Sequence, residues 1–215
     1  MTNTTQIKKT DVLVIDYGVG NHQSVINALK ILGYTYTVSF DKKDIESAER
    51  YILPGVGAFG EAMMNLNKRD IIGTLKKEVL ENKKPLLGIC LGMQVLAEDS
   101  LEDGLHTGLG FILGHVVRIR DKNAIRVPHV GWNEVNIYKR DPLFSSISKG
   151  TRFYFDHSYH FETEKKYIAA TCSYGEEITA AVQHKNIYGI QFHPEKSQTS
   201  GLRLIRAFME SAKVK

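Results

Sequence analysis

The segment Gly88-Ile89-Cys90-Leu91-Gly92 follows an apolar run, Pro85-Leu86-Leu87, and precedes Met93 to Glu98, which the sequence predicts as helix. A reactive side chain with a glycine two places to either side, between a strand and a helix, is the pattern of a nucleophile elbow. The central residue sits on a tight, strained turn, and the flanking glycines let the backbone bend without a Cβ clash. A chain built this way is committed to a sheet whose strand ends are followed by helices. The sulfur of Cys90 then stands above the sheet edge, over helical N–H groups whose partial positive charge favours thiolate over thiol. Taken locally, Cys90 also reads as a small buried apolar residue.

The remaining pattern agrees with such a sheet. Asp11–Asp16 is a short apolar run of strand length, Tyr17–Asn21 a turn, and His22–Leu32 a helical segment. Tyr34–Phe40 and Tyr51–Pro54 read as strands, the second followed by the glycine-rich loop Gly55–Gly60. Helical sequence occupies about 61–82, broken near Lys68-Arg69-Asp70, and Pro85–Ile89 is a fourth strand. Apolar strands alternating with helices predict a three-layer α/β fold: a mainly parallel central sheet covered by helices on both faces. After about residue 110 shorter alternating segments follow (Phe111–Ile119, Asn133–Tyr138, Arg152–Phe155, Tyr167–Thr171, Ile178–Gln183, Ile187–Phe192), and these predict antiparallel additions to that sheet in the C-terminal half. A terminal helix is expected over about 200–212. With no linker, repeat or low-complexity tract, residues 10–215 read as one domain behind a loose extension at 1–9.

Composition narrows the function classes. The net charge is +4, but Lys and Arg are scattered as pairs such as Lys42-Lys43 and Lys165-Lys166, which read as solvated faces and not as a nucleic-acid surface. Two cysteines, Cys90 and Cys172, argue against a disulfide scaffold and for a reducing compartment. Cys172 lies in the apolar run Ile168–Cys172 and reads as packing. Residues 1–10 lack the apolar core of a signal peptide, and no run approaches membrane-spanning length, so a cytoplasmic location is expected.

A nucleophilic cysteine needs a base, and the base an orienting group. Gln191-Phe192-His193-Pro194-Glu195 offers both. His193 ends a strand-like run, Pro194 fixes the chain's exit, and Glu195, two residues on, returns to the same side in an extended segment. Cys90 and His193 both fall just past strand ends, where sites form in open parallel sheets. The order Cys…His…Glu is compatible with a triad, since triads recur in several orders. The loop Pro54-Gly55-Val56-Gly57 follows another strand end. A backbone N–H there, with that of Leu91, could form an oxyanion hole; the plain alternative is an ordinary strand-to-helix turn. Gly18-Val19-Gly20 only superficially resembles a dinucleotide fingerprint, lacking its third glycine. The eight histidines do not fall into zinc-ligand spacings with the cysteines, so neither metal nor cofactor is expected.

Pro54–Gly60, Gly88–Gln94, Pro128-His-Val-Gly-Trp-Asn133, His157-Ser-Tyr159 and Gln191–Ser197, in that order, resemble the class I (triad-type) glutamine amidotransferases. More narrowly, Pro128–Asn133 and Asp16-Tyr-Gly-Val-Gly-Asn21 look like the subfamily of glutaminase subunits that serve imidazole glycerol phosphate synthases in histidine biosynthesis. The resemblance implies hydrolysis of L-glutamine to glutamate and ammonia by a Cys90–His193–Glu195 triad. It implies oxyanion donors at Gly57 and Leu91, with a flip of the Val56–Gly57 peptide as a rate switch. It implies a glutamine pocket lined by Gln94, His157, Ser158 and Tyr159. The ammonia would pass into a (β/α)8-barrel cyclase partner, the two forming a heterodimer, with Tyr17, Asn21, Val130 and Trp132 facing that partner. Three positions depart from the family's usual pattern: Val130 in place of Met, Asp156 in place of an apolar residue, and His160 in place of Tyr. They bear on the partner, and leave open a paralogue that supplies ammonia for amidation of a nucleotide sugar in surface-polysaccharide synthesis. Other readings are a lone γ-glutamyl-type cysteine hydrolase and a flavodoxin-like carrier without catalysis.

Replacing Cys90 by Ser or Ala is expected to abolish glutamine hydrolysis while the circular-dichroism spectrum and thermal midpoint stay those of a folded protein. Wild-type turnover in either variant would remove Cys90 from the nucleophile's place.

Overall fold

The computed structural model describes residues 11–20, 22–120 and 125–211. The extension expected at 1–9 and the side chain of Asn21 lie outside the described residues.

The first half alternates strand and helix. In chain order it runs β1 (Val12–Ile15), α1 (His22–Leu32), β2 (Tyr36–Ser39), α2 (Lys42–Ser47), β3 (Tyr51–Gly55), α3 (Phe59–Lys68), α4 (Ile72–Lys76), β4 (Leu86–Cys90) and α5 (Leu91–Gln94). The second half is strand-rich: β5 (Asp99–Ser100), β6 (His106–Thr107), β7 (His115–Arg118), β8 (His129–Glu134), β9 (Asn136–Ile137), β10 (Arg152–His157), β11 (Tyr159–Glu162), β12 (Ile168–Tyr174), β13 (Glu176–His184), β14 (Ile187–Ile190) and finally α6 (Gln198–Glu210).

The central sheet has eight strands in the order β2-β1-β3-β4-β14-β13-β12-β9. The stretch from β2 to β14 is parallel, and β13, β12 and β9 continue it antiparallel. Alternation along each strand splits the core in two, because successive side chains point to opposite faces. Val12 and Val14 pack with Val25 and Leu29 of α1 and Leu204, Ile205 and Phe208 of α6. Leu13 and Ile15 pack on the other face with Ile45 of α2, Phe59 and Ala62 of α3, and Leu75 of α4. The sheet is therefore sandwiched between two helical layers.

Several elements differ from the sequence expectation. The helix expected at Met93–Glu98 is one turn at Leu91–Gln94. Beyond it the carbonyls of Val95, Leu96, Ala97 and Glu98 accept hydrogen bonds from N–H groups of residues 108–112, so a distant loop replaces helical partners. Helix α2 was not foreseen; six residues with Ile45 alone buried carry too little periodicity to read. Not all the later strands extend the central sheet. β8 and β10 form a separate two-stranded ribbon, and β11-β7-β5-β6 a second sheet.

The elbow itself depends on two bare α-carbons. A Cβ on Gly88 would strike the Gly92 carbonyl, and one on Gly92 would collide with the Leu53 carbonyl of the neighbouring strand. By contrast, a Cβ on Gly73 in α4 meets nothing within 4 Å. Gly92→Ala is expected to cost more than about 3 kcal/mol or to prevent folding, whereas Gly73→Ala should gain about 0.5–1 kcal/mol from helix propensity. Urea denaturation of the two variants checks this, and equal stabilities would contradict it.

Candidate active site

Cys90 closes β4 with φ +54° and ψ −111°, a backbone region L-residues avoid. Tolerating that strain takes a surrounding structure that leaves no other course, here Gly92 packed between Gly88 and the Leu53 carbonyl of β3. The side chain is nearly buried and opens onto a cavity of about 340 Å³. Val56 and Gly57 line it from the loop after β3, Leu91 and Gln94 from α5, His157, Ser158 and Tyr159 from the β10–β11 junction, and His193 from the segment after β14. Glu102, Pro128 and Asp156 complete the wall.

His193 is held by backbone and side chain together. Its N–H donates to the Tyr154 carbonyl at 2.8 Å, bridging the segment to β10. The Ser197 hydroxyl accepts from the Tyr154 N–H at 3.0 Å and donates to the His193 carbonyl at 2.6 Å. Pro194 then starts a single tight turn over Pro194–Lys196 that swings Glu195 back. Nδ1 of His193 donates to Glu195 Oε1 at 2.8 Å, and both side chains are buried. That bond leaves the other ring nitrogen for the cavity, which His193 lines together with Cys90. Burial opposes protonation of His193, but the neighbouring Cys90 sulfur and the Glu195 carboxylate outweigh it and push the imidazole up to about 10.

Around the sulfur stand two further groups. Gln191 Nε2 lies 3.7 Å from Sγ and the Asp156 carbonyl 3.9 Å. Gly57 holds φ +110°, a conformation favouring glycine. The Leu91 N–H opens α5, where first-turn donors lack helical partners. Both residues line the cavity together with Cys90.

Two buried histidines brace the far wall. His157 Nδ1 is 2.8 Å from the Tyr159 carbonyl, so it carries the proton, and His157 Nε2 accepts from His129 Nδ1 at 3.0 Å. His129 Nε2 then accepts from Asn133 Nδ2 at 3.3 Å. The His129 ring is stacked between Phe155 and Tyr174, with centroids 4.6 and 3.9 Å away. Burial lowers His129 to about 4 and His157 to about 3, so both are neutral.

The pocket residues expected from the sequence (Gln94, His157, Ser158, Tyr159) gather at this cavity, but the ring of His157 is engaged with protein groups. Val130 and Trp132 are 54% and 46% exposed on β8. Tyr17 differs from expectation: its side chain is fully buried, with the hydroxyl packed against Gly55, so it belongs to the core and not to a docking face. Sequence reasoning passed over Glu102, His129 and Gln191. Of these, Gln191 lies two residues before His193 on an extended segment and His129 lies within the Pro128–Asn133 motif, while Glu102 has no signal in the sequence.

Comparison with known proteins places the chain. The family model described as glutamine amidotransferase class-I matches residues 13–212. The chain is 48% identical over 204 residues to the imidazole glycerol phosphate synthase subunit HisH 2 of Vibrio vulnificus, covering 94% of this chain and 95% of that protein. It is 44% identical to subunit HisH 2 of Pseudomonas aeruginosa, covering 93% and 98%. Among solved structures, a crystal structure of a glutamine amidotransferase superimposes with TM-score 0.72 at 22% identity, covering 92% and 97%. PurLQS from Thermotoga maritima also gives 0.72, at 19% identity and 92% and 96% coverage. These two support the fold alone.

The titrating groups of the site act at opposite ends of the pH scale. For His129 and His157 the folded pKa lies below the ordinary 6.5, so their contribution to stability is whole above pH 6.5 and lost as pH falls toward 4 and 3. Each can account for up to about 1.4 kcal/mol per pH unit. His193 is raised, so its contribution is whole below pH 6.5 and lost as pH rises toward 10. Urea midpoints measured between pH 6.5 and 4.5 should fall less steeply for His129→Asn than for the wild type. Parallel curves would contradict a neutral, buried His129.

Proposed function

The chain belongs to the class-I glutamine amidotransferases, and from that membership we propose that it is the glutaminase subunit of an imidazole glycerol phosphate synthase. The observation that carries the reading is a buried Cys90–His193–Glu195 constellation opening onto a cavity of amino-acid size.

The thiolate of Cys90 adds to the side-chain amide carbon of glutamine. The N–H groups of Leu91 and Gly57 receive the oxyanion; one such donor is worth about 2.7–4 kcal/mol in the barrier. His193, protonated at the nitrogen facing the sulfur, gives its proton to the departing nitrogen, and ammonia leaves a thioester on Cys90. The now neutral imidazole takes a proton from water, the hydroxide attacks the thioester, and glutamate departs as the thiolate is restored. Glu195 holds the ring through Nδ1 and stabilises its cationic form. The Ser158–Tyr159 backbone and Gln94 bound the amino-acid end of the substrate. The Glu102 carboxylate, accepting from the Phe59 N–H at 2.7 Å, supplies a counter-charge for its ammonium.

The partner is a (β/α)8-barrel cyclase that receives the ammonia, and the exposed Val130 and Trp132 on β8 suit the apolar part of that interface. Among the described residues no helix is long and apolar enough to cross a membrane; a cytoplasmic site of action fits.

The isolated chain should hydrolyse glutamine slowly. Adding the barrel subunit with its ligand should raise turnover by about a hundredfold or more, the worth of one oxyanion donor brought into place. Amide-15N from glutamine should then appear in imidazole glycerol phosphate. Fast turnover by the chain alone would favour a free-standing hydrolase. Label recovered in an amidated nucleotide sugar would reassign the acceptor and leave the glutaminase reading intact.

A further inference from the structure

We propose that Gln191 is a further catalytic residue: its side-chain amide donates a hydrogen bond to the Cys90 sulfur, and a one-way chain of donors behind it keeps the amide turned that way. The proposal deepens the glutaminase reading and rests on Cys90 being its nucleophile.

An amide side chain can face a neighbour with either its NH2 or its oxygen, so the orientation must come from elsewhere. Here it originates at a group that cannot turn. The Tyr159 carbonyl is backbone and can only accept. Gln94 Nε2 lies 2.9 Å from it, which fixes the Gln94 amide with its nitrogen inward. The same Nε2 is 3.1 Å from Gln191 Oε1, so the oxygen of Gln191 is taken as an acceptor. Only the NH2 of Gln191 remains for the sulfur, 3.7 Å away. Reversing Gln94 would set oxygen against oxygen, and reversing Gln191 would set NH2 against NH2, in a buried site.

The Tyr159 carbonyl is itself braced. It also accepts from His157 Nδ1, and that ring's other nitrogen accepts from His129, which accepts from Asn133. Asn133 Nδ2 further donates to the Ser173 carbonyl at 2.9 Å, so its nitrogen also cannot reverse. Direction is thus set at both ends by main-chain carbonyls. Gln191 is completely buried, and strand register puts it level with the nucleophile: Ile190 pairs with Ile89, so the next residue on each strand is Gln191 and Cys90. A buried donor beside an anion makes a strong, charge-assisted bond, whereas an amide oxygen there would repel it.

Alkylation of Cys90 by iodoacetamide, read by peptide mass spectrometry without glutamine present, measures thiolate directly. The other titratable groups around the sulfur's cavity, namely His193 with Glu195 behind it, the Tyr17 phenol, His157, Asp156, Glu102 and Tyr159, are common to wild type and variants. Gln191→Met removes the donor at similar length. Gln191→Leu removes it with an apolar side chain that adds no charge. Both variants are expected to alkylate about tenfold more slowly at neutral pH, with the rate profile displaced to higher pH. A residue that only fills space would not move the profile. Folded variants with the wild-type profile would overturn the proposal. Should neither variant fold, the wild-type protein decides: the side-chain amide NMR signal of Gln191 must shift when Cys90 is alkylated or replaced by Ala, and an unmoved signal overturns it. Failure of the glutaminase reading would look different, as absent glutamine turnover in a protein whose thiol remains reactive.

Discussion

Three neighbouring parallel strands that end in register set everything the site can do. Gly55 of β3 stands beside Cys90 of β4, and Ile89 beside Ile190 of β14. The residues just past those ends are therefore the Val56–Gly57 loop, the Cys90 elbow with Leu91, and Gln191 through His193. No other part of the fold needs to find these groups; ladder hydrogen bonds deliver them side by side. The cost is that the chain must turn within one residue after β4 without striking β3. The approach of Gly92 to the Leu53 carbonyl makes that turn possible only with a bare α-carbon.

A sheet edge alone would leave the imidazole free to swing. The β8–β10 ribbon prevents this by lying across the ends of the strands. Tyr154 on β10 takes the His193 N–H and gives its own to Ser197, while the same strand continues into the Asp156 to Tyr159 wall. One ribbon thus positions the base, the back of the pocket and, through His157, the carbonyl that orients Gln94. On its outer side β8 presents Val130 and Trp132. In the proposed complex, a partner docked on those residues would press on the element that holds His193 and the pocket wall.

The legible part of this fold is the part specified by local period. The parallel half, from β1 to β4 with α1, α3 and α4, shows its alternation of apolar strands and amphipathic helices along the chain. So do the elbow and the spacing of His193 to Glu195, because a two-residue repeat in an extended segment is a local fact. Long-range pairings decide what was not legible. Whether the turn after Gln94 continues as helix depends on N–H groups ten or more residues downstream capturing the carbonyls of Val95 to Glu98. Whether β8 joins the central sheet or pairs only with β10 depends on the course of the chain between them. Tyr17, polar at one end and sited in a glycine-rich turn, reads as surface; the structure buries it against Gly55 because the turn folds inward over β3. Gln191 and Glu102 gain their meaning only from neighbours brought in by other strands.

The same residue types meet opposite fates here, which shows where the chemistry resides. Cys172 lies in β12, packed in the core, and burial pushes its thiol up to about 12. Cys90 is nearly as buried, yet it faces an imidazole and an amide NH2. His129 and His157 meet acceptors and aromatic rings and stay neutral; His193, no more exposed, meets a carboxylate and a sulfur and becomes a cation. Burial is the constant, and it penalises every charge alike. What differs is whether the fold has brought a complementary group within hydrogen-bonding distance before the charge forms. Such pre-positioning distinguishes the surroundings of Cys90 from those of Cys172, and it is a property of strand ends and their registers more than of the residues themselves.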